Sequence, residues 1–174
     1  HLDGMDKPIP LKRELTNQIV SLKKTNLTFS DFAIKSIYEI LPSELLDNSL
    51  VKDTRIFESV VAYNNGDLQF CIDTLPAEIQ FSSVNRILTT DVNSDNYPDL
   101  LLGGNDFDYK PQFGRLDAGF FHLLEGGEQG FSRISRSGIK GTGMVRSLNQ
   151  ITINKTKHLL IGINDEKAQL YKIK

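Results

Sequence analysis

Apolar residues change their spacing near residue 49, and this change divides the chain into two predicted parts. In residues 1–48 they recur every three or four positions, which is the period of an amphipathic helix. Helices are predicted over 10–24 and 28–41, followed by a short helical turn that begins at Ser43. The second helix is preceded by a capping-box pattern at Thr28–Asp31. The first part is therefore predicted to be a helical segment.

Residues 49–174 are predicted to be mainly β, because apolar and polar residues alternate there. The predicted strands cover 56–63, 68–72, 84–90, 99–103, 120–124, 131–134, 157–163 and 168–173. Asn65-Gly66 favours a type I′ hairpin turn, because both central positions of that turn need positive φ. Cys71 lies in a strand-like run and is predicted to be a buried, small apolar side chain.

Charge and hydropathy argue against two classes of partner. The 20 basic and 22 acidic residues give a formal net charge of −2, so the composition does not indicate a nucleic-acid partner. No apolar run approaches the roughly 18 residues that a membrane-spanning helix needs. We therefore predict no nucleic-acid partner and no transmembrane segment.

A dense group of oxygen-bearing side chains lies between two predicted strands. Asp91, Asn93, Asp95 and Asp99 stand at offsets 0, 2, 4 and 8. In a tightly turning backbone alternate side chains point the same way, so the first three are expected to converge. Carboxylates gathered in this way repel one another unless a hard cation lies between them, and Ca²⁺ takes six to eight oxygen ligands. Tyr97 is predicted to add its backbone carbonyl.

Other interpretations of the loop 91–99 differ in what they require. An EF-hand needs Gly at loop position 6 and Glu at position 12, where this chain has Asn96 and Leu102, so an EF-hand is excluded. Mg²⁺ fits less well than Ca²⁺, because it demands near-ideal octahedral geometry. A metal-free turn stays open as an alternative, since Asn, Asp and Ser are ordinary turn residues.

The loop and the strand after it resemble the calcium loop of the FG-GAP or VCBS repeat. The resemblance rests on Asp-x-Asn-x-Asp-x-x-x-Asp from Asp91, followed by Leu-Leu-Leu-Gly-Gly. Three later stretches, at 113–118, 123–127 and 141–146, resemble the C-terminal portion of bacterial proteins of the ASPIC/UnbV type. The resemblance implies blades of an integrin-α-like, antiparallel β-propeller with a structural Ca²⁺. It also implies an extracytoplasmic location: secreted, periplasmic or on the bacterial cell surface.

An internal repeat agrees with a blade organisation. Leu100–Asn105 matches Leu159–Asn164 at an offset of 59 positions. Because a unit of about 60 residues suits a four-stranded blade, about two to two and a half blades of a partial propeller are predicted. In the second copy the four ligand positions hold Gln150, Thr152, Asn154 and His158. A single metal site is therefore expected.

The leading functional hypothesis is a non-enzymatic binding or scaffold module, so no residue is assigned as catalytic or cofactor-binding. The expected partner is a protein, a glycan or the rest of a longer propeller chain. The long connection 104–118 is rich in Gly, Asp and aromatic residues and is predicted to carry recognition.

The alternative is a propeller-based hydrolase or lyase that uses polar residues between 104 and 122. Its candidate cleft residues are Asp106, Asp108, Arg115, Asp117 and His122. No Ser/His/Asp order and no paired-carboxylate spacing in the sequence points to a particular reaction, so this class ranks second.

Overall fold

The chain forms two compact units in a computed structural model, His1–Arg55 and Ile56–Lys174. The described residues are 4–131, 133–136, 138–139 and 141–173. The sequence places the boundary after Asn48, and residues 49–58 are exposed and carry neither helix nor strand. Each unit has its own buried apolar residues and is described by itself.

The first unit consists, in its described part, of short helices. They are α1 Lys12–Gln18, a 3₁₀ turn Val20–Lys23, α2 Phe29–Ile34, α3 Ile37–Ile40 and α4 Ser43–Asp47. Thr28 caps α2, because its Oγ1 accepts the Asp31 N–H at 3.0 Å. Leu22, Phe32 and Ile40 form the small core of this unit.

Both long predicted helices are interrupted. α1 ends at Gln18, because the ψ of 86° at Ile19 lies outside the helical region. Lys35 is extended (φ −78°, ψ 147°) and separates α2 from α3. The new helix begins because the Ser36 N–H donates to Glu39 Oε2 at 2.7 Å. The hydrogen bonds from the Ser36 backbone and hydroxyl lower the pKa of Glu39.

The second unit is mainly β and antiparallel, as predicted. Its strands are β1 Val60–Asn64, β2 Phe70–Thr74, β3 Val84–Thr90, β4 Asp99–Gly104, β5 His122–Glu125, β6 Arg133–Arg136, β7 Val145–Ile153, β8 Thr156–Ile163 and β9 Gln169–Lys172. Among the described residues they form a β1-β2 hairpin, a β3-β4-β5-β6 sheet and a β7-β8-β9 sheet. We call the four-stranded sheet the middle sheet.

The middle sheet is covered on both faces. Leu101 lies on one face and packs with buried residues of β7 and β8, among them Leu148 and Ile161. Leu102 and its neighbour Leu124 lie on the opposite face and pack with Ile79 of the 3₁₀ turn Ala77–Phe81. A strand buried on both sides needs a continuous apolar run, which explains why β4 does not alternate.

The β3–β4 and β7–β8 hairpins both contain a shift in strand register, but the connections between their strands differ in length. The β3–β4 register shifts between Val84 and Arg86, and the β7–β8 register shifts between Val145 and Ser147. Residues 91–98 connect the first pair, whereas the second pair is closed by Asn154 and Lys155 (φ 49° and 63°). The β7–β8 turn is thus too short to form a loop of the 91–98 kind.

Two predictions for the β1–β2 hairpin are wrong. The turn is not a two-residue type I′ turn at Asn65-Gly66, because β1 ends at Asn64 and β2 begins only at Phe70. Cys71 is exposed rather than buried. The reason is that every residue of β2 is exposed in this two-stranded hairpin.

Candidate metal centre

Strands β3 and β4 place residues 91–98 at one end of the middle sheet. The two strands stay paired as far as Thr90 and Asp99, which are register partners. Ser94 and Asn96 have left-handed backbone, with φ of 63° and 69°. These two residues fold the connection tightly over the end of the hairpin.

Asp91 accepts hydrogen bonds from three backbone N–H groups of the loop. Its Oδ1 accepts from Ser94 at 2.7 Å and from Asp95 at 3.2 Å, and its Oδ2 accepts from Asn96 at 3.0 Å. An ionised carboxylate offers about four lone-pair positions. Asp91 therefore retains capacity for a further partner such as a cation.

Asn93 and Asp95 lie next to the same group. Asn93 Oδ1 accepts the Asp95 N–H at 3.1 Å, so that N–H is shared with Asp91. Asn93 Nδ2 donates to Asp95 Oδ2 at 2.8 Å, and Asp95 Oδ1 accepts the Tyr97 N–H at 2.8 Å. The structure thus brings three of the sequence-predicted ligands together: Asp91, Asn93 and Asp95.

Asp99 occupies a different position. Its exposed fraction is 0%, its Oδ2 accepts the Val92 N–H at 2.8 Å, and its Oδ1 accepts the Gly126 N–H at 2.9 Å. The carboxylate therefore ties the loop to the turn that follows β5. A Cβ at Gly126 would lie 2.0 Å from the Pro98 carbonyl oxygen, so this close approach requires glycine.

Tyr97 makes a second contact between the loop and that turn. Its hydroxyl donates to Glu128 Oε1 at 3.3 Å. Tyr97 donates hydrogen bonds through its N–H and its hydroxyl, and the role of its carbonyl as a ligand stays a prediction. Sequence reasoning missed Gly126 and Glu128, because they belong to another hairpin and only Gly126-Gly127 marked a turn there.

The donor atoms of the Asp91–Asn93–Asp95 cluster fit a hard cation. They are carboxylate and amide oxygens, which Ca²⁺ combines with backbone carbonyls and water. The described residues contain no group of three or more His, Cys, Asp or Glu side chains that could hold a metal. The cluster has two carboxylates and one amide, and the third carboxylate, Asp99, is turned towards Gly126. Asp91, Asn93 and Asp95 would hold the ion.

Backbone hydrogen bonds close the long loop after β4. The Asp106 N–H donates to the Leu116 carbonyl at 2.8 Å, and the Leu116 N–H donates back at 3.0 Å. Asn105 is 1% exposed and fixes the ends of the loop, since its side chain donates to the carbonyls of Gly119 and Thr142. These hydrogen bonds close the base of the loop.

The polar residues considered for a catalytic cleft take part in separate contacts. Asp108 forms an ion pair with Arg146 of β7. The Arg115 guanidinium lies 3.9 Å from the centroid of the Phe107 ring and 4.0 Å from Asp117 Oδ2. Asp108 and Asp117 are thus paired with different arginines.

His122 lines a small, shallow cleft together with Ser83 and three glycines. His122 Nε2 and Ser83 Oγ are buried and have no hydrogen-bond partner among the described residues. Burial lowers the pKa of His122, and the Glu78 carboxylate opposes this shift. The acidic residues of the long loop do not line this cleft.

No family model, curated protein or solved structure matches this chain. Within the described residues, no helix has both the length and the apolar character needed to cross a membrane. The resemblance to a calcium-loop propeller repeat therefore stays a prediction.

Proposed function

We propose that the chain is part of a calcium-binding β-propeller of the FG-GAP/VCBS type and acts as an extracytoplasmic binding or scaffold module without catalysis. The observation that carries the proposal is the convergence of Asp91, Asn93 and Asp95 at the end of a sheet buried on both faces. A cation at this position stabilises the turn between two core strands, so its effect extends to the whole unit.

The order of the sheets supports this proposal. Propeller blades are four-stranded sheets arranged around a central channel. The middle sheet is such a four-stranded meander, and its first strand lies beside β7, the first strand of the next sheet. Arg86 Nε donates to the Arg146 carbonyl at 2.7 Å, and Thr90 Oγ1 donates to Gln150 Oε1 at 2.6 Å. Neighbouring blades of a propeller place their inner strands together in the same way.

The correspondence between two hairpins is a second support. Gly103 of β4 is the register partner of Arg86, and Gly162 of β8 is the register partner of Ser147. In each hairpin this is the first register pair after the shift in strand register. With the four-stranded middle sheet as one blade, the β7–β9 sheet and the β1–β2 hairpin supply parts of two others.

The proposed ion has a structural role. When bound, Ca²⁺ supplies positive charge that offsets the repulsion between the Asp91 and Asp95 carboxylates. The chain itself holds the loop in shape: backbone N–H groups orient Asp91, and Asp99 anchors the loop on Gly126. These residues keep the loop in place at the end of the sheet.

The closed loop after β4 is the proposed surface for binding a protein or glycan partner. Tyr109 and Phe113 pack edge to face, with ring centroids 5.8 Å apart, and are 48% and 46% exposed. Exposed aromatic rings on a fixed loop suit contact with a protein or a glycan, because ordering the loop adds little further entropic cost.

Thermal unfolding in Ca²⁺, in Mg²⁺ and in chelator tests the metal site. Calcium is expected to raise the melting temperature of the wild type, because a ligand of the folded state at 100 times its Kd stabilises by about 2.7 kcal/mol. Asp95→Asn is expected to lose most of this increase, since it keeps an oxygen acceptor for the Tyr97 N–H but removes the charge.

Asp165→Asn is the matched control, because Asp165 lies in an exposed turn of the same unit. It should respond to calcium as the wild type does. If calcium raises the melting temperature of Asp95→Asn as much as that of the wild type, the ion binds elsewhere. If calcium does not raise the melting temperature of the wild type, the proposed calcium site is wrong.

A further inference from the structure

The turn between β1 and β2 contains an asparagine that is followed directly by glycine. Residues 65–69 connect the two strands, and all of them are exposed. Gly66, Asp67 and Leu68 have left-handed backbone, with φ of 87°, 49° and 60°. A Cβ built on Gly66 would meet no atom within 4 Å, so no other part of the described chain crowds this position. The peptide group between Asn65 and Gly66 is therefore open to water.

The side-chain amide of Asn65 has no hydrogen-bond partner among the described residues. The hydrogen bond that Asn65 makes is from its backbone, whose N–H donates to the Gln69 carbonyl at 2.9 Å. Because the amide is unbonded, χ1 and χ2 of Asn65 can change between rotamers. Its Cγ can thus approach the backbone nitrogen of Gly66.

Two other asparagines, each followed by serine, are held by their side chains. Asn48 Nδ2 donates to the Glu44 carbonyl at 2.8 Å. Asn93 Oδ1 accepts the Asp95 N–H at 3.1 Å, and Asn93 Nδ2 donates to Asp95 Oδ2 at 2.8 Å. Serine also carries a Cβ, which glycine lacks, so the backbone nitrogen after these two asparagines is less accessible. Both the sequence and the hydrogen bonding thus distinguish Asn65.

The backbone nitrogen of Gly66 is restrained by one neighbouring side chain. Its N–H donates to Asn64 Oδ1 at 2.9 Å, and this is not one of the backbone bonds between β1 and β2. Asn64 is exposed, so water competes for the same N–H group. The bond is therefore expected to slow the loss of this proton without preventing it.

We propose that Asn65 is a site of spontaneous deamidation and that Asn64 restrains the reaction. Hydroxide removes the Gly66 amide proton, and the nitrogen attacks Asn65 Cγ to form the N–Cγ bond of a succinimide. The bond from Cγ to the side-chain nitrogen breaks, and this nitrogen leaves as ammonia after taking a proton from water, which regenerates hydroxide. Water then opens the ring at one of its two carbonyl carbons, which gives aspartate or isoaspartate. The reaction consumes water and needs no oxidant, reductant or cofactor.

The modification changes the surface of the hairpin and not the core of the second unit. Either product places a carboxylate close to Asp67, and isoaspartate also lengthens the backbone of the turn by one carbon. The turn contributes no residue to the buried apolar clusters of this unit. The modified chain is therefore expected to keep its sheets and to gain one negative charge.

Incubation of the full chain at mildly alkaline pH, followed by mass spectrometry of its tryptic peptides, tests the proposal. Asn65 is expected to convert before Asn48 and Asn93, which lie in other tryptic peptides. Conversion should be slower at mildly acidic pH, because less of the Gly66 amide is deprotonated. Chromatography separates the aspartate and isoaspartate forms of the peptide.

Two variants test the parts that Gly66 and Asn64 play. Asp67→Asn is the matched control, because it adds an asparagine to the same exposed turn but is followed by Leu68. The added asparagine is expected to stay intact while Asn65 converts. Asn64→Ala removes the acceptor of the Gly66 N–H and should convert several times faster than the wild type. Circular dichroism checks that both variants are folded.

The same measurement in urea supplies the comparison with the unfolded chain. If Asn65 converts in urea but stays intact in the folded chain, the turn protects it and the proposal is wrong. Equal conversion of Asn65 and Asn93 in the folded chain also overturns it, because the difference in their hydrogen bonds would then have no effect. If Asn64→Ala converts no faster than the wild type, the restraint by Asn64 is wrong.

Discussion

Asp99 has a role that the spacing of oxygen ligands does not reveal. The sequence places it last in a series of four ligands, but in the structure it is fully buried and both its oxygens accept backbone N–H groups. A buried carboxylate is unfavourable unless its oxygens are hydrogen-bonded, and these two donors offset that cost. Asp99 therefore joins two hairpins through its own hydrogen bonds, in addition to any contact with a cation.

The free energy of unfolding of the second unit is expected to fall as the pH decreases through the titration of His122. Burial lowers the pKa of this side chain, against the smaller effect of Glu78. In the unfolded chain the pKa returns to about 6.5, so the unfolded state binds the proton first as the pH falls. The stability is therefore complete above the unfolded pKa and is lost as the pH falls towards the folded pKa.

Urea unfolding between about pH 7.5 and pH 5.5, the range around the unfolded pKa, measures this slope. His122→Gln should flatten it, because glutamine does not titrate. His158→Gln is the control: His158 lies on the last strand pair, with its Nδ1 at 2.9 Å from the Thr156 carbonyl oxygen. A slope that is the same in His122→Gln and the wild type would assign the effect to other groups.

At the scale of elements, the positions of the strands follow from the local apolar pattern, whereas the breaks in the two predicted helices do not. The Leu-Leu-Leu run after Asp99 predicts β4 because a strand covered on both faces is apolar throughout. The break at Lys35 is not visible in the apolar period, which continues through it. It arises because Ser36 and Glu39 form a local cap that competes with the continuing helix.

Contacts between hairpins are the part of the candidate site that sequence patterns leave out. The proximity of Asp91, Asn93 and Asp95 follows from local spacing, since all three belong to one turn. The requirement for glycine at Gly126 depends on the carbonyl of Pro98, which belongs to a different hairpin. Such a requirement becomes visible only once the packing of the two turns is known.

Gly126 and Gly127 provide a matched pair for testing this packing. Gly126→Ala is expected to destabilise the second unit by about 2 kcal/mol, because its Cβ would overlap the Pro98 carbonyl and backbone must shift. Gly127→Ala should cost less than about 0.5 kcal/mol, since the nearest atom to its Cβ is 3.9 Å away. Urea unfolding of both variants checks this; equal losses would contradict the close approach of the two turns.

At the scale of the whole molecule, the chain consists of two units with separate cores and an exposed connection. Leu22, Phe32 and Ile40 belong to the first unit, and the clusters around Ile161 and Leu124 belong to the second. Residues 49–58 are exposed and lie outside the helices and strands. The unfolding of one unit is therefore not expected to require the unfolding of the other.

Limited trypsin digestion tests this organisation. Lys52 and Arg55 lie in the exposed connection, where the chain can enter a protease site without unfolding either core. Arg115 is also exposed, but the paired backbone hydrogen bonds between Asp106 and Leu116 hold its loop closed. The first cleavage is expected in the connection, and it should leave a β fragment that keeps its circular dichroism and its response to Gly126→Ala.

The double variant Lys52→Gln/Arg55→Gln is expected to slow this first cleavage and leave the later ones unchanged. If the initial cut falls after Arg115, its loop opens more readily than its hydrogen bonds indicate. If the β fragment unfolds once it is released, the helical unit contributes to the stability of the sheets. The second result would contradict two separately stable units, because the sheets would then depend on the helical unit for their stability.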